Sequence, residues 1–164
     1  MLFLTPADLR GLDSRALEEL LGRTELTVAM GEGEVGGLAA AALLFADFAV
    51  LRVDAVLHID IAQAWAGAAW RLGHGALKLL AMPRWNAREA RDAGLCDDVT
   101  EREPAEWLGE WTRHRSVVAL DAAALLIRSR GGDRLERAEF ARLFALGEPQ
   151  KGLGAFLAKK KPEF

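Results

Sequence analysis

The sequence predicts an α/β fold, and three observations carry that reading. Short apolar, β-branched runs crowd the first half of the chain: "LTVAM" from Leu26 to Met30, then "FAVLRV" and "AVLHIDI" through Ile61. A glycine-rich turn, "GEGEVGG", leads from the first of these straight into a long alanine and leucine segment. The last third instead shows helical patterning with capping and stop signals.

Taken in order, Asp13 or Ser14 caps a helix with Ala16, Leu17, Leu20 and Leu21 on one face, closed by Gly22. Leu26 to Met30 reads as a short buried strand. The helix after Gly37 is almost entirely small or apolar, so it is expected to be buried on most sides. Asn86 and Glu89 form a capping box for "AREARDA", and Asp133 and Glu136 repeat that arrangement before "LERAEFARLFAL". A last helix is expected through "KGLGAFLAKKK", stopping at Pro162. No internal repeat or low-complexity linker stands out.

Composition narrows the function classes. The 164 residues suit one domain with one sizeable core. A formal net charge of −3 argues against wholesale nucleic-acid binding. The single cysteine, Cys96, excludes an internal disulfide, sits in an apolar context, and reads as a buried small residue rather than a nucleophile. The apolar stretch from Gly36 to Phe45 is too short to span a bilayer. With no charged-then-apolar leader before the first motif, a cytoplasmic location is expected. His74, between two glycines, lacks the further ligands a metal site needs, so no metal is expected.

Four segments in order then carry a resemblance. They are "FLTPADL" from Phe3, "TVAMGEGEVGG" running on to Asp47, "NAREARDAGLC", and the closing "LFALGEPQKGLGAFLAKKKPEF". Together they resemble the enoyl-CoA hydratase/isomerase, or crotonase, superfamily. The resemblance implies a crotonase-like spiral of short strands and helices over residues 1–105. Residues 106–164 would form a helical region for oligomerisation and coenzyme A contact. It implies a coenzyme A thioester as substrate or ligand, no covalent cofactor, and a homo-oligomer, trimeric or hexameric. In this family, charge developing on the thioester oxygen is held by two backbone N–H groups. Such donors are worth roughly 3 kcal/mol each. Here the resemblance assigns one donor to Gly37, or to Leu38 if the register slips by one, and the other to Ala7. The alternative is that Gly36 and Gly37 only permit close helix packing.

The pattern also breaks. The family's initial strands and helix have no counterpart before Phe3, so the spiral is expected to be truncated or completed by another chain. Pro6 stands where the motif has glycine, which puts the first donor's geometry in question. A hydratase needs two glutamates. The first position falls at Ala40 or Ala41, and the second at Ile61, with Asp60 one residue short. Trp65 and Trp70 either fill volume or close the acyl pocket.

His58 and Asp60 alternate along a strand and form either a proton-handling pair or an edge pair facing solvent. Glu32 and Glu34 read as solvated, as do Arg113, His114 and Arg115. Four of the five lysines, Lys151, Lys159, Lys160 and Lys161, close the chain. They either compensate a helix dipole or, with Phe156, hold the adenine and phosphates of coenzyme A. Two functions follow: acyl-CoA chemistry of isomerase type with at most one acid, Asp60 assisted by His58, or a catalytically degenerate member that binds acyl-CoA or assembles with a partner.

Overall fold

The computed structural model describes residues 1–60, 62–73, 75–76, 82–129 and 132–164. Ile61 and His74 lie outside them. The chain forms two compact units. One comprises Leu2–Arg23 and Thr27–Arg102; the other comprises Met1, Thr24–Leu26 and Glu103–Phe164.

The first unit begins with β1 (Leu2–Leu4), α1 (Pro6–Arg10) and α2 (Ser14–Leu21). It continues with β2 (Thr27–Gly31), β3 (Glu34–Val35) and α3 (Gly37–Phe45), then β4 (Phe48–Arg52), β5 (Val56–His58) and α4 (Trp65–Leu72). β6 (Arg84–Asn86), α5 (Ala87–Asp92) and β7 (Asp98–Thr100) complete it. One sheet has the order β1-β2-β4-β7, with every neighbouring pair parallel. The other has the order β3-β5-β6, with β3 and β5 parallel and β5 and β6 antiparallel. A structural repeat is therefore present that composition hides. Twice in succession a strand enters the first sheet, a second strand enters the other, and a helix follows. Parallel strands are covered on both faces, which is why β2, apolar after Thr27, is buried throughout.

α3 has the near-total burial its sequence implies: Ala40, Ala41, Ala42, Leu43 and Leu44 are fully enclosed. α4 comes close to it at Gly67, where a β-carbon would stand 2.7 Å from Leu44 Cβ. The small residue that permits tight helix packing is thus Gly67. Asp47 turns back after α3 and accepts the Thr27 N–H at 2.8 Å, fixing the start of β2. Asp13 caps α2 through the Ala16 N–H, and Asn86 and Glu89 form the expected capping box on α5.

The second unit contains α6 (Pro104–Thr112), α7 (Val117–Arg128), α8 (Asp133–Ala145) and α9 (Glu148–Leu157). Trp107 and Trp111 stack with ring centroids 5.7 Å apart, and Arg115 lies over the Trp111 ring. Ser116 caps α7. Two expectations are corrected here. Gly132, not Asp133, occupies the N-cap of α8, so the second capping box does not form; Asp133 instead faces Arg137 one turn on. α9 also starts earlier than expected, because Pro149 suits a first helical turn, and it stops at Leu157, short of the closing lysines. No helix among the described residues is long and apolar enough to cross a membrane.

Candidate functional site

The glycine turn joins β3 to α3. Gly36 is extended, with φ −138° and ψ 177°. Gly37 has φ +58°, a left-handed conformation that costs any residue with a β-carbon and is open to glycine. The kink turns the chain directly into the helix. The first N–H groups of a helix have no acceptor within it, and no side chain caps α3. The amides of Gly37 and Leu38 therefore open the helix at its positive end. Beside them stands Gln63, whose Oε1 lies 2.8 Å from where a β-carbon on Gly37 would be. Gln63 follows a tight turn in which the Asp60 carboxylate accepts the Ala62 N–H at 2.7 Å and the Asp60 carbonyl accepts the Gln63 and Ala64 N–H groups. Sequence reasoning missed Gln63; the Asp-x-Ala turn signal at Asp60 was the clue to it.

A charged cluster borders the same turn. In the second sheet Glu34 pairs in register with Val56, and His58 stands opposite Arg84. The three polar side chains meet: Glu34 Oε2 accepts from His58 Nε2, and Glu34 Oε1 accepts from Arg84 Nη2 at 2.9 Å. A carboxylate only accepts, so the shared proton sits on Nε2, and in the neutral ring Nδ1 is the acceptor. The His58 hydrogen bond, with the Arg84 charge behind it, holds the Glu34 carboxyl below its usual range. His58 Cβ lies 3.5 Å from where a β-carbon on Gly36 would be, so the cluster abuts the first glycine of the turn.

The remaining expected residues fall as follows. β5 ends at His58, so Asp60 lies beyond the strand rather than on it, and His58 bonds to Glu34, not to Asp60. Glu34 is exposed, in keeping with its reading as solvated, but it also has those two partners, and Glu32 pairs with Arg10 at 3.0 Å. Pro6 occupies the first turn of α1, where its fixed φ suits the helix, and Ala7 follows it there. Thr5 and Asp8 close a capping box around that turn, and the Thr5 hydrogen bonds hold Asp8 below its usual range. α1 packs on both β2 and α3. Ala40 and Ala41 put fully buried methyl groups at the first hydratase position, and the second, Ile61, lies outside the described residues. Trp70 is exposed, so its ring does not fill the core. Cys96 is buried, and burial pushes its thiol up to about 12, which keeps it unreactive. Phe156 is exposed on α9, and Lys159 and Lys160 are exposed just after it.

No protein-family model matches the sequence, and no curated protein matches it. Solved structures do match in fold. An enoyl-CoA hydratase/isomerase from Marinobacter aquaeolei superposes with a TM-score of 0.63 at 20% identity, over 90% of this chain and 64% of that one. The enoyl-CoA hydratase/isomerase from Cupriavidus metallidurans CH34 gives 0.63 at 22% identity, over 90% and 63%. A further enoyl-CoA hydratase/isomerase family member gives 0.73 at 23% identity, over 92% and 64%. The chain thus spans less than two thirds of the length of each of these three proteins. With parallel strands, a glycine turn and helices in the order the motifs implied, the chain has the fold of these enoyl-CoA hydratase/isomerase structures.

Proposed function

We propose that the protein binds acyl-CoA thioesters with the thioester oxygen at the amides that open α3. The observation that carries this reading is the left-handed, uncapped glycine turn at Gly37, which leaves backbone donors at the positive end of a helix. Gly37 or Leu38 gives one donor. Ala7, in the first turn of a helix that packs against α3, is the candidate for the other. Phe156, Lys159 and Lys160 are retained as contacts for the nucleotide end on the strength of the motif resemblance alone.

Calorimetric titration with coenzyme A and with short- and long-chain acyl-CoA thioesters tests the reading. Binding of the thioesters that weakens in Gly37→Ala supports it; no binding by the native protein overturns it. Hydration of an enoyl thioester needs water held between two carboxylates, and Ala40 and Ala41 supply none, so hydratase turnover is expected to be negligible.

A second reading, self-assembly, is favoured by the helical unit. Ile127, Phe140, Leu146, Leu153 and Leu157 each expose at least half of their surface there. Apolar side chains in that number favour cover by another chain. A homo-oligomer by light scattering is expected at micromolar concentration, and a monomer counts against it.

A further inference from the structure

We propose that His58 is a general base that activates water against a thioester carbonyl held at the glycine turn, with Glu34 and Arg84 as its positioning residues, so that the protein is a thioester hydrolase. The inference rests on the thioester-binding reading above and adds the reaction. Four observations carry it.

The first is the ordered arrangement of the cluster. His58 Nε2 donates to Glu34, which leaves Nδ1 as the proton acceptor, and Glu34 is itself held from the other side by Arg84 at 2.9 Å. A base oriented by a carboxylate that is itself anchored is the arrangement by which an imidazole takes a proton from water and later returns it.

The second is position. His58 Cβ is in van der Waals range of the place a Gly36 side chain would occupy, one residue before the amides at Gly37. Base and oxyanion donors therefore flank one turn. The third is access. His58 is 41% exposed and Glu34 63%, so bulk water reaches the imidazole, which favours hydrolysis over proton shuttling in a dry pocket. The fourth is elimination among the carboxylates. The buried face of α3 has alanine at the hydratase position, Asp60 is engaged by the Ala62 N–H, and Glu32 is paired with Arg10. Among the described residues, the charged groups bonded to His58 or standing opposite it are Glu34 from β3 and Arg84 from β6.

The reaction balances without a further reactant. Water oxygen bonds to the thioester carbon as His58 Nδ1 takes its proton. The carbonyl electron pair moves to the oxygen, where the turn amides stabilise it. Collapse of the tetrahedral adduct re-forms the carbonyl and breaks the C–S bond. The imidazolium then protonates the departing thiolate, giving a carboxylic acid and coenzyme A.

The test is thiol release from acetyl-, hexanoyl- and dodecanoyl-CoA, alongside calorimetric binding of the uncleavable thioether S-hexyl-CoA. Thiol release faster than buffer by the native protein is expected with at least one chain length. His58→Gln is expected to lower kcat by about 100-fold with thioether affinity unchanged within about twofold. Glu34→Gln is expected to lower kcat about tenfold with KM unchanged within about twofold, because a loosened base slows the proton transfer without weakening substrate binding. Glu34→Asp, which keeps the charge, is expected to recover part of that loss.

Binding of the thioether with no thiol release by the native protein overturns the hydrolase assignment and leaves the binding reading intact. Native kcat in His58→Gln removes His58 as the base. Native kcat in Glu34→Gln removes Glu34 from its positioning role. Absence of thioether binding overturns both readings. Far-UV circular dichroism of each variant confirms that folding is retained, as the exposure of both side chains leads one to expect.

Discussion

The Arg71 guanidinium lies 3.0 Å from the Asp97 carboxylate, and the same group donates to the carbonyls of Leu44 at 3.0 Å and Ala46 at 2.9 Å. One side chain from α4 thus satisfies the C-terminal end of α3, the helix whose other end forms the glycine turn. Asp97 also accepts the Ala49 N–H at 2.7 Å, which ties this corner to β4. Arg71 is 10% exposed and Asp97 33%, so the guanidinium is shielded while the carboxylate stays partly hydrated.

Arg71→Ala is accordingly expected to destabilise the first unit. It removes the donor from two carbonyls and the cation from a carboxylate that keeps the Ala49 N–H, a loss of about 1–3 kcal/mol. Arg71→Lys is expected to recover only part of this, because an ammonium cannot span three acceptors in a plane. Urea denaturation followed by tryptophan fluorescence reads both. A midpoint unchanged in Arg71→Ala would show that the network contributes nothing net.

The glycine turn gives a contrast between neighbours. At Gly37 a methyl group meets both a left-handed φ and Gln63 Oε1 at 2.8 Å. At Gly36 the backbone is extended and the nearest atom is at 3.5 Å, an ordinary contact. Gly37→Ala is therefore expected to cost about 1–2 kcal/mol and to weaken thioester binding. Gly36→Ala is expected to stay within about 0.5 kcal/mol of the native protein. Equal effects at the two positions, by thermal unfolding, would break the link between the kink and the site.

Much of the fold is legible in the residues because local chemistry and burial agree there. The buried run of β2, the small and apolar residues of α3 and the Asn86–Glu89 capping box each read the same way alone and in the folded chain. The site is less legible, because its key relation is long-range. Glu34 and His58 are 24 positions apart, and only the parallel pairing of β3 with β5 brings them together. Read along the chain, His58 has Asp60 as its obvious partner two residues on; the strand's end at His58 cancels that pairing. Arg84 is harder still, since its place depends on an antiparallel register that nothing near it in sequence encodes. Helix starts fail by one or a few residues for a similar reason. At α8, Gly132 and Asp133 both suit the cap, and the glycine takes it.

Glu148 in the helical unit predicts an acid-labile anchor. Lys151 at 2.8 Å and the Ser116 hydroxyl both donate to it, and these bonds hold its carboxyl below the usual value of 4.5. A carboxyl depressed in the folded state adds stability that is present above its unfolded value and is lost as pH falls through the folded one. Glu148→Gln is therefore expected to lower the Tm at pH 7 and to match the native protein once the pH is well below 4.5. A gap that stays constant across that range would mean that Glu148 acts through shape rather than charge.

The Glu34 cluster makes a prediction that does not depend on turnover. Its carboxyl is held below 4.5, chiefly by the hydrogen bond from His58, with the Arg84 charge as a smaller contributor. The folded chain therefore keeps Glu34 ionised to a lower pH than the unfolded chain does. Whatever stability the pair adds is present above pH 4.5 and is lost as the pH falls through the depressed value. Removing a partner should raise the midpoint in proportion to that partner's share. His58→Ala is expected to move the Glu34 carboxyl most of the way back to 4.5, and Arg84→Gln to move it by less. Side-chain carboxyl NMR of selectively labelled glutamate, titrated between pH 2 and 7, separates the two shifts. A larger shift in Arg84→Gln than in His58→Ala would make the ion pair, not the imidazole bond, the dominant contact. Glu34 would then be a partner of Arg84 first, and the orientation of His58 would need another source.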